Sequence, residues 1–132
     1  MAAVANGISK AAIDRSLAYA REREQFGKPI MDFQGISFLL ADMATELEAS
    51  RLLTLKAAYL KDKGEPFRQA ASMAKLKSTE ACMKITTDAV QILGGYGYIE
   101  EFVVERYMRE AKMLQIVEGT SQIQRMVIAK GL

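Results

Sequence analysis

The chain of 132 residues holds no histidine and one cysteine. Any acid–base chemistry must therefore come from carboxylates, tyrosine or lysine. Glu118 is the carboxylate that stands out. It lies in Ile116-Val117-Glu118-Gly119-Thr120-Ser121, after an apolar stretch and just before an expected helix start. Gly119 frees the backbone beside it. A solvated acid favoured by a helix dipole is the commoner origin of such a residue. A working base requires a ligand that strips water from the carboxylate, because desolvation makes it a stronger base. Two other features could bind phosphate. Gly94-Gly95-Tyr96-Gly97 can present backbone N–H groups to an anion, although glycines that simply end a helix are more frequent. Arg23, in Arg21-Glu22-Arg23-Glu24-Gln25, can grip a phosphate with two N–H groups, or it can sit on a solvated helix end.

These residues need a frame, and the frame reads as helix. Two prolines and few glycine clusters interrupt long stretches rich in Ala, Leu, Met, Lys, Glu and Gln. A first helix is expected over about Ala3–Arg23, with Val4, Ile8, Ala11, Ala12, Ile13, Leu17 and Ala20 marking a wide apolar side. Gly27 is expected to supply a left-handed cap, and Pro29 a stop. A second helix is expected from Phe33 to Lys63, roughly 45 Å long at ~1.5 Å per residue. It carries Ile36, Leu39, Leu40, Met43, Leu47, Leu53, Ala57 and Leu60. A third begins at Pro66 and carries a seam of mostly small residues: Ala70, Ala74, Ser78, Ala81, Ile85, Ala89 and Ile92. A shorter helix spans roughly Glu101–Ala111. A last one starts near Ser121, where Ser-Gln-Ile-Gln matches a capping box, with Gly131 at its C-terminal cap. Short connections favour an all-α, up-down bundle of four-helix type with additional short C-terminal helices, forming one domain over residues 1–132. The apolar stripes are wide enough to leave surface for self-association.

Composition removes several classes of function. Half the residues are hydrophobic and the net charge is +2, which excludes a disordered chain and gives no electrostatic reason for nucleic acid as a partner. Cys82 has no partner for a disulfide and reads as structural. The methionines read as core filling, and without histidine there is no imidazole metal site or pH sensor. No run of about 18 apolar residues provides a membrane span, and the apolar start, lacking a basic segment, does not read as a signal peptide.

Four motifs in order carry a family resemblance: Arg21-Glu-Arg-Glu-Gln-Phe-Gly-Lys-Pro-Ile, then Phe33-Gln34, then Asp88-Ala-Val-Gln-Ile-Leu-Gly-Gly-Tyr-Gly, then Glu118-Gly-Thr-Ser-Gln-Ile-Gln-Arg125. Together they resemble the C-terminal helical domain of the acyl-CoA dehydrogenase family. The resemblance implies an FAD-dependent oxidation of an acyl-CoA thioester to the 2-enoyl-CoA. Glu118 matches the base that removes the α-proton, while the β-hydrogen passes as hydride to flavin N5. Thr120 and Gln122 match positions on the flavin of the same subunit. Arg23, Gln25, Phe26, Gln34, Gln91, Gly94 and Gly95 match the stretch that reaches the FAD of a neighbouring subunit, with Arg23 on the pyrophosphate and the Gln91–Gly95 turn along the adenosine half.

The resemblance further implies a homodimer or homotetramer, an electron-transfer flavoprotein as acceptor, and a cytoplasmic location in a bacterium or the mitochondrial matrix in a eukaryote. Val117 departs from the tyrosine that many members carry before the base, which loosens any inference about how the thioester is held. The family's N-terminal helical and middle β-domains have no counterpart in these residues. The isolated chain is therefore expected to bind FAD weakly or not at all and to be inactive alone. A piece of a longer enzyme is favoured over a truncated paralogue or a non-catalytic oligomerisation module.

Overall fold

The computed structural model describes residues 1–132. Five helices account for most of it: α1 (Ala2–Glu22), α2 (Gln34–Asp62), α3 (Arg68–Leu93), α4 (Val104–Leu114) and α5 (Ser121–Ala129). A two-residue hairpin, β1 (Glu24–Gln25) and β2 (Lys28–Pro29), joins α1 to α2. The all-α expectation and the order of elements hold. α3 is the central element and packs against all four other helices. Of the five, only α5 has a side-chain N-cap, so the long helices owe their stability to tertiary packing rather than to their ends.

The faces that α1 and α3 turn to the core are rich in small residues. On α1 the buried face is Ala5, Ser9, Ala12, Ile13, Ser16 and Ala20, while Val4 is exposed. The apolar reading of α1 was thus displaced by about one residue at its start, because Ser9 and Ser16 belong to the buried face. Each hydroxyl donates to the carbonyl four residues back, Ser9 to Ala5 and Ser16 to Ala12, both at 2.8 Å. The groups are satisfied within their own helix and can be buried without a partner across the interface. On α3, Ala74, Ser78, Ala81, Ile85, Ala89 and Ile92 are buried as expected and Ala70 is half-buried.

A second stripe on α3 is also buried: Ser72, Lys75, Thr79, Cys82 and Thr86. The larger apolar cluster joins Leu40, Met43 and Leu47 of α2 to α1, α3 and Val104. A smaller one, Ala5, Cys82, Ala111 and Leu114, lies toward the other end of the bundle. Phe38, Leu52, Leu55 and Tyr59 remain exposed on the outer face of α2. No helix is long and apolar enough to cross a membrane.

Several boundaries differ from expectation. Phe26 (φ 54°) and Gly27 (φ 79°) are both left-handed, so Gly27 turns a two-residue hairpin rather than capping α1, which ends at Glu22. Two successive positive φ values are what such a hairpin requires. α3 starts at Arg68, two residues after Pro66. α4 starts at Val104 behind a 3-10 turn, Glu100–Phe102, that absorbs the first residues assigned to it. Thr120 caps α5, its hydroxyl accepting from the Ile123 amide at 3.3 Å. Ser121 is the first helical residue, and its buried Oγ has no partner. The cap therefore sits one residue earlier than Ser-Gln-Ile-Gln implied, and with Ile123 at the third helical position it is a single N-cap bond rather than a reciprocal capping box. Two adjacent hydroxyl residues offer the same local chemistry, and the turn before them decides between them.

Candidate functional site

Five of the expected site residues line two clefts at opposite ends of α3, Glu118 one and Arg23, Gln25, Gly94 and Gly95 the other, while Phe26, Gln34, Gln91, Thr120 and Gln122 line neither. Lys75 lines one and Gly94 the other, about 28 Å apart at ~1.5 Å per helical residue.

The first cleft, about 650 Å³, is lined by the start of α1, by Thr54 and Ala57 of α2, by Ala71, Ser72, Ala74 and Lys75 of α3, and by Glu118 and Gln124. Glu118 is exposed at its edge, in the left-handed region with φ 56°. Gly119 follows at φ 91°. A non-glycine residue in this region costs roughly 1–2 kcal/mol and persists only where its surroundings hold it. Two buried side chains do so. The Lys75 ammonium donates to the carbonyl oxygens of Val117, at 2.5 Å, and of Gly119. The Gln124 amide donates to those of Glu118, at 3.4 Å, and Gly119, at 3.2 Å. Three consecutive carbonyls thus turn inward onto two donors while the Glu118 side chain faces out.

Gly119 is favoured by its left-handed φ, and a Cβ there would lie 2.9 Å from Gln124 Nε2, so the amide would have to move. Lys75 is 8 % exposed and enters no ion pair. Burial pushes its pKa below the ordinary lysine value, and the charge of Glu118 partly offsets that shift. Thr120 is occupied as the α5 cap, and Gln122 is exposed on the first turn of α5.

The second cleft, about 560 Å³, brings Arg23, Gln25, Gly94 and Gly95 together with Tyr19, Ile30 and Tyr96. Gly94 ends α3 with φ 59° and ψ −134°, and its N–H donates to the Gln91 carbonyl. Gly97 is buried where a Cβ would approach the Val90 carbonyl oxygen to 2.6 Å. The glycine cluster thus includes one special dihedral and one close contact. Tyr96 lies tilted against Phe102 with centroids 5.0 Å apart and meets Tyr19 edge-on at 6.3 Å, which packs the turn against α1. Arg23 forms no ion pair within the chain. Phe26, Gln34 and Gln91 do not line this cleft. Phe26 is 91 % exposed at the hairpin tip against Phe33, and Gln34 and Gln91 are exposed on α2 and α3.

No three acidic or sulfur ligands converge on a metal position. Lys75 and Gln124 were not singled out in the sequence. The available signal was the second α3 stripe, in which one lysine stands among Ser72, Thr79, Cys82 and Thr86 at helical spacing.

The family model described as acyl-CoA dehydrogenase, C-terminal domain, matches residues 1–132. The probable acyl-CoA dehydrogenase YngJ of Bacillus subtilis is 54% identical over the whole chain, which covers 35% of that protein. The CarC subunit of the caffeyl-CoA reductase-Etf complex of Acetobacterium woodii is 52% identical over 93% of the chain and 32% of its own length. Among solved structures, butyryl-CoA dehydrogenase from Megasphaera elsdenii superposes with a TM-score of 0.97 at 50% identity, over 98% of this chain and 34% of that one. The chain thus spans about a third of the length of the relatives it matches. With the fold, the motif order and the whole-length match in agreement, the chain belongs to the acyl-CoA dehydrogenase family and corresponds to its C-terminal domain.

Proposed function

We propose that this domain serves an FAD-dependent acyl-CoA dehydrogenase that desaturates an acyl-CoA thioester between its α and β carbons, with Glu118 as the base that takes the α-proton. The observation that carries this reading is the backbone at Glu118. A carboxylate is held at the edge of a cleft in a conformation that local preferences oppose and buried groups maintain. Such fixed strain belongs to sites where position matters more than stability. An α-proton of a thioester is weakly acidic, so the base must meet it at a defined distance with water excluded. Glu118 is open to solvent in this domain, and the acyl chain with the remaining two-thirds of the enzyme supplies the cover.

FAD, when bound, supplies the hydride acceptor for the β-hydrogen. The residues present suit it. The second cleft offers an Arg23 guanidinium with no internal partner, the Gln25 amide, a glycine turn and two aromatic rings, a donor set matched to a pyrophosphate and an adenosine. At about 28 Å from the Glu118 cleft, it serves the flavin of a neighbouring subunit, while Thr120 and Gln122 face the flavin used by Glu118. Phe26 and Gln34 extend this second surface, and the exposed apolar residues of α2 support a homodimer or homotetramer. Electron-transfer flavoprotein is the acceptor in this reading, in keeping with the Etf complex to which the Acetobacterium woodii relative belongs.

The test is Glu118→Gln in the full-length, flavin-loaded enzyme. Flavin reduction by acyl-CoA should fall about 10²–10⁴-fold, the usual worth of a general base, with FAD content unchanged. Normal bleaching in that variant would remove Glu118 from the role.

A further inference from the structure

We infer that Lys75 and Gln124 are positioning residues for Glu118: they clamp the three carbonyls of residues 117–119 from below and so set where its carboxylate stands. The inference rests on Glu118 as the base and adds the device that aims it.

The geometry is specific. Lys75 comes from α3, Gln124 from α5, and the clamped segment from the connection after α4, so three elements meet at one peptide stretch. Lys75 reaches the carbonyls on either side of Glu118, and Gln124 reaches that of Glu118 itself and the next. Turning all three carbonyls inward obliges the intervening side chain to project outward, into the left-handed conformation observed. A buried ammonium without a carboxylate contact is costly. A lysine kept for packing alone would be replaced by Met at no loss of volume, so its charge-assisted bonds to carbonyls are its evident use. Gly119 completes the device by leaving room for the Gln124 amide. Val117 is half-buried beside the smaller core cluster, so the segment is anchored at that end too.

The experiment compares Lys75→Met, Lys75→Arg, Gln124→Leu and Glu118→Gln in the flavin-loaded, full-length enzyme that carries this domain. Single-turnover flavin reduction by acyl-CoA is read together with FAD content and the acyl-CoA dissociation constant. Lys75→Met should slow reduction per bound flavin about 10- to 100-fold, the scale of a misplaced reacting group. FAD content and acyl-CoA affinity should change less than about twofold. Gln124→Leu should show a smaller loss in the same parameter, and Lys75→Arg, which keeps the cation in a bulkier group, should lose less rate than Lys75→Met. Amide exchange should quicken at residues 117–124 in the Met and Leu variants.

Lys75→Met and Gln124→Leu both within twofold of wild type per flavin would overturn the inference. So would a lysine variant that loses flavin while each remaining flavin reacts normally. If Lys75→Met does not hold flavin at all, Gln124→Leu and Lys75→Arg decide. An inactive Glu118→Gln beside fully active clamp variants defeats this inference alone, whereas an active Glu118→Gln defeats the proposed function.

Discussion

Gly119→Ala puts the clamp under a defined load. At φ 91° an alanine pays for a left-handed backbone, roughly 1–2 kcal/mol. Its Cβ would sit 2.9 Å from Gln124 Nε2, the far end of a flexible side chain, so the amide moves rather than the backbone. Moving it gives up two hydrogen bonds, to Glu118 and Gly119, of 3.4 and 3.2 Å. Bonds of this length are at the weak end, together about 1 kcal/mol. The expected loss is therefore about 2–3 kcal/mol. With about 2.1 cal/mol/K of unfolding entropy per residue, that lowers the Tm of a 132-residue domain by roughly 7–11 °C. Thermal unfolding followed by circular dichroism at 222 nm measures it.

The double variant Gly119→Ala/Gln124→Leu sharpens the test, because the bonds lost in one single variant cannot be lost again in the other. The two effects should fall short of additivity by about 1 kcal/mol. Strict additivity, or a Tm drop under about 2 °C for Gly119→Ala, would refute the steric coupling of Gly119 to Gln124.

Four further outcomes are expected. Gly97→Ala drives a Cβ to 2.6 Å from a backbone oxygen, which cannot yield, and should cost about 2–4 kcal/mol in urea unfolding. Gly95→Ala meets nothing within 4 Å and should stay within about 0.5 kcal/mol of wild type. The Cys82 thiol is fully buried and its pKa is raised by burial, so its reaction with a disulfide reagent at pH 8 should be limited by opening of the structure; rapid labelling of the native chain would contradict the burial. Lys75 binds its proton less tightly in the folded state than in the unfolded one, so its contribution to stability rises as pH climbs from its lowered folded value towards about 10.4, and Lys75→Met should abolish that rise in urea midpoints.

Much of the fold was legible because helices advertise themselves through period and punctuation. The α3 seam was read almost residue for residue, since Ala74, Ser78, Ala81, Ile85, Ala89 and Ile92 repeat at one spacing. The inner face of α1 was read less well. Its buried positions include Ser9 and Ser16, polar by type but satisfied locally, so hydropathy alone pointed partly to Val4. The hairpin at Glu24–Pro29 carries the sequence signature of a helix cap, because its other left-handed residue, beside Gly27, is Phe26, a bulky type that gives no sign of that conformation.

At the candidate site, Glu118 and the Arg23–Gly95 surface could be picked out by local motifs. Lys75 could not, because its partners lie 42 and 44 residues away in sequence and only folding brings them within reach. Gln124 lies only five or six residues from the carbonyls it holds. Its inward direction depends on a turn whose dihedrals no composition rule specifies.

The alanine and serine faces of α1 and α3 have a consequence for mutational tolerance. α1 buries Ala5, Ser9, Ala12, Ser16 and Ala20, and α3 buries Ala74, Ser78, Ala81 and Ala89, and at these positions there is little side-chain volume to lose. Truncation, the usual threat to a core, finds its targets among the larger buried residues, Ile13, Leu40, Met43, Leu47, Ile85, Ile92, Leu93, Val104 and Leu114, and not at these alanines and serines. The vulnerability runs in the opposite direction. One added methyl group wedges apart the helices that hold the two clefts at their fixed separation, and a sequence drifting under selection would be held at these positions by an upper limit on size.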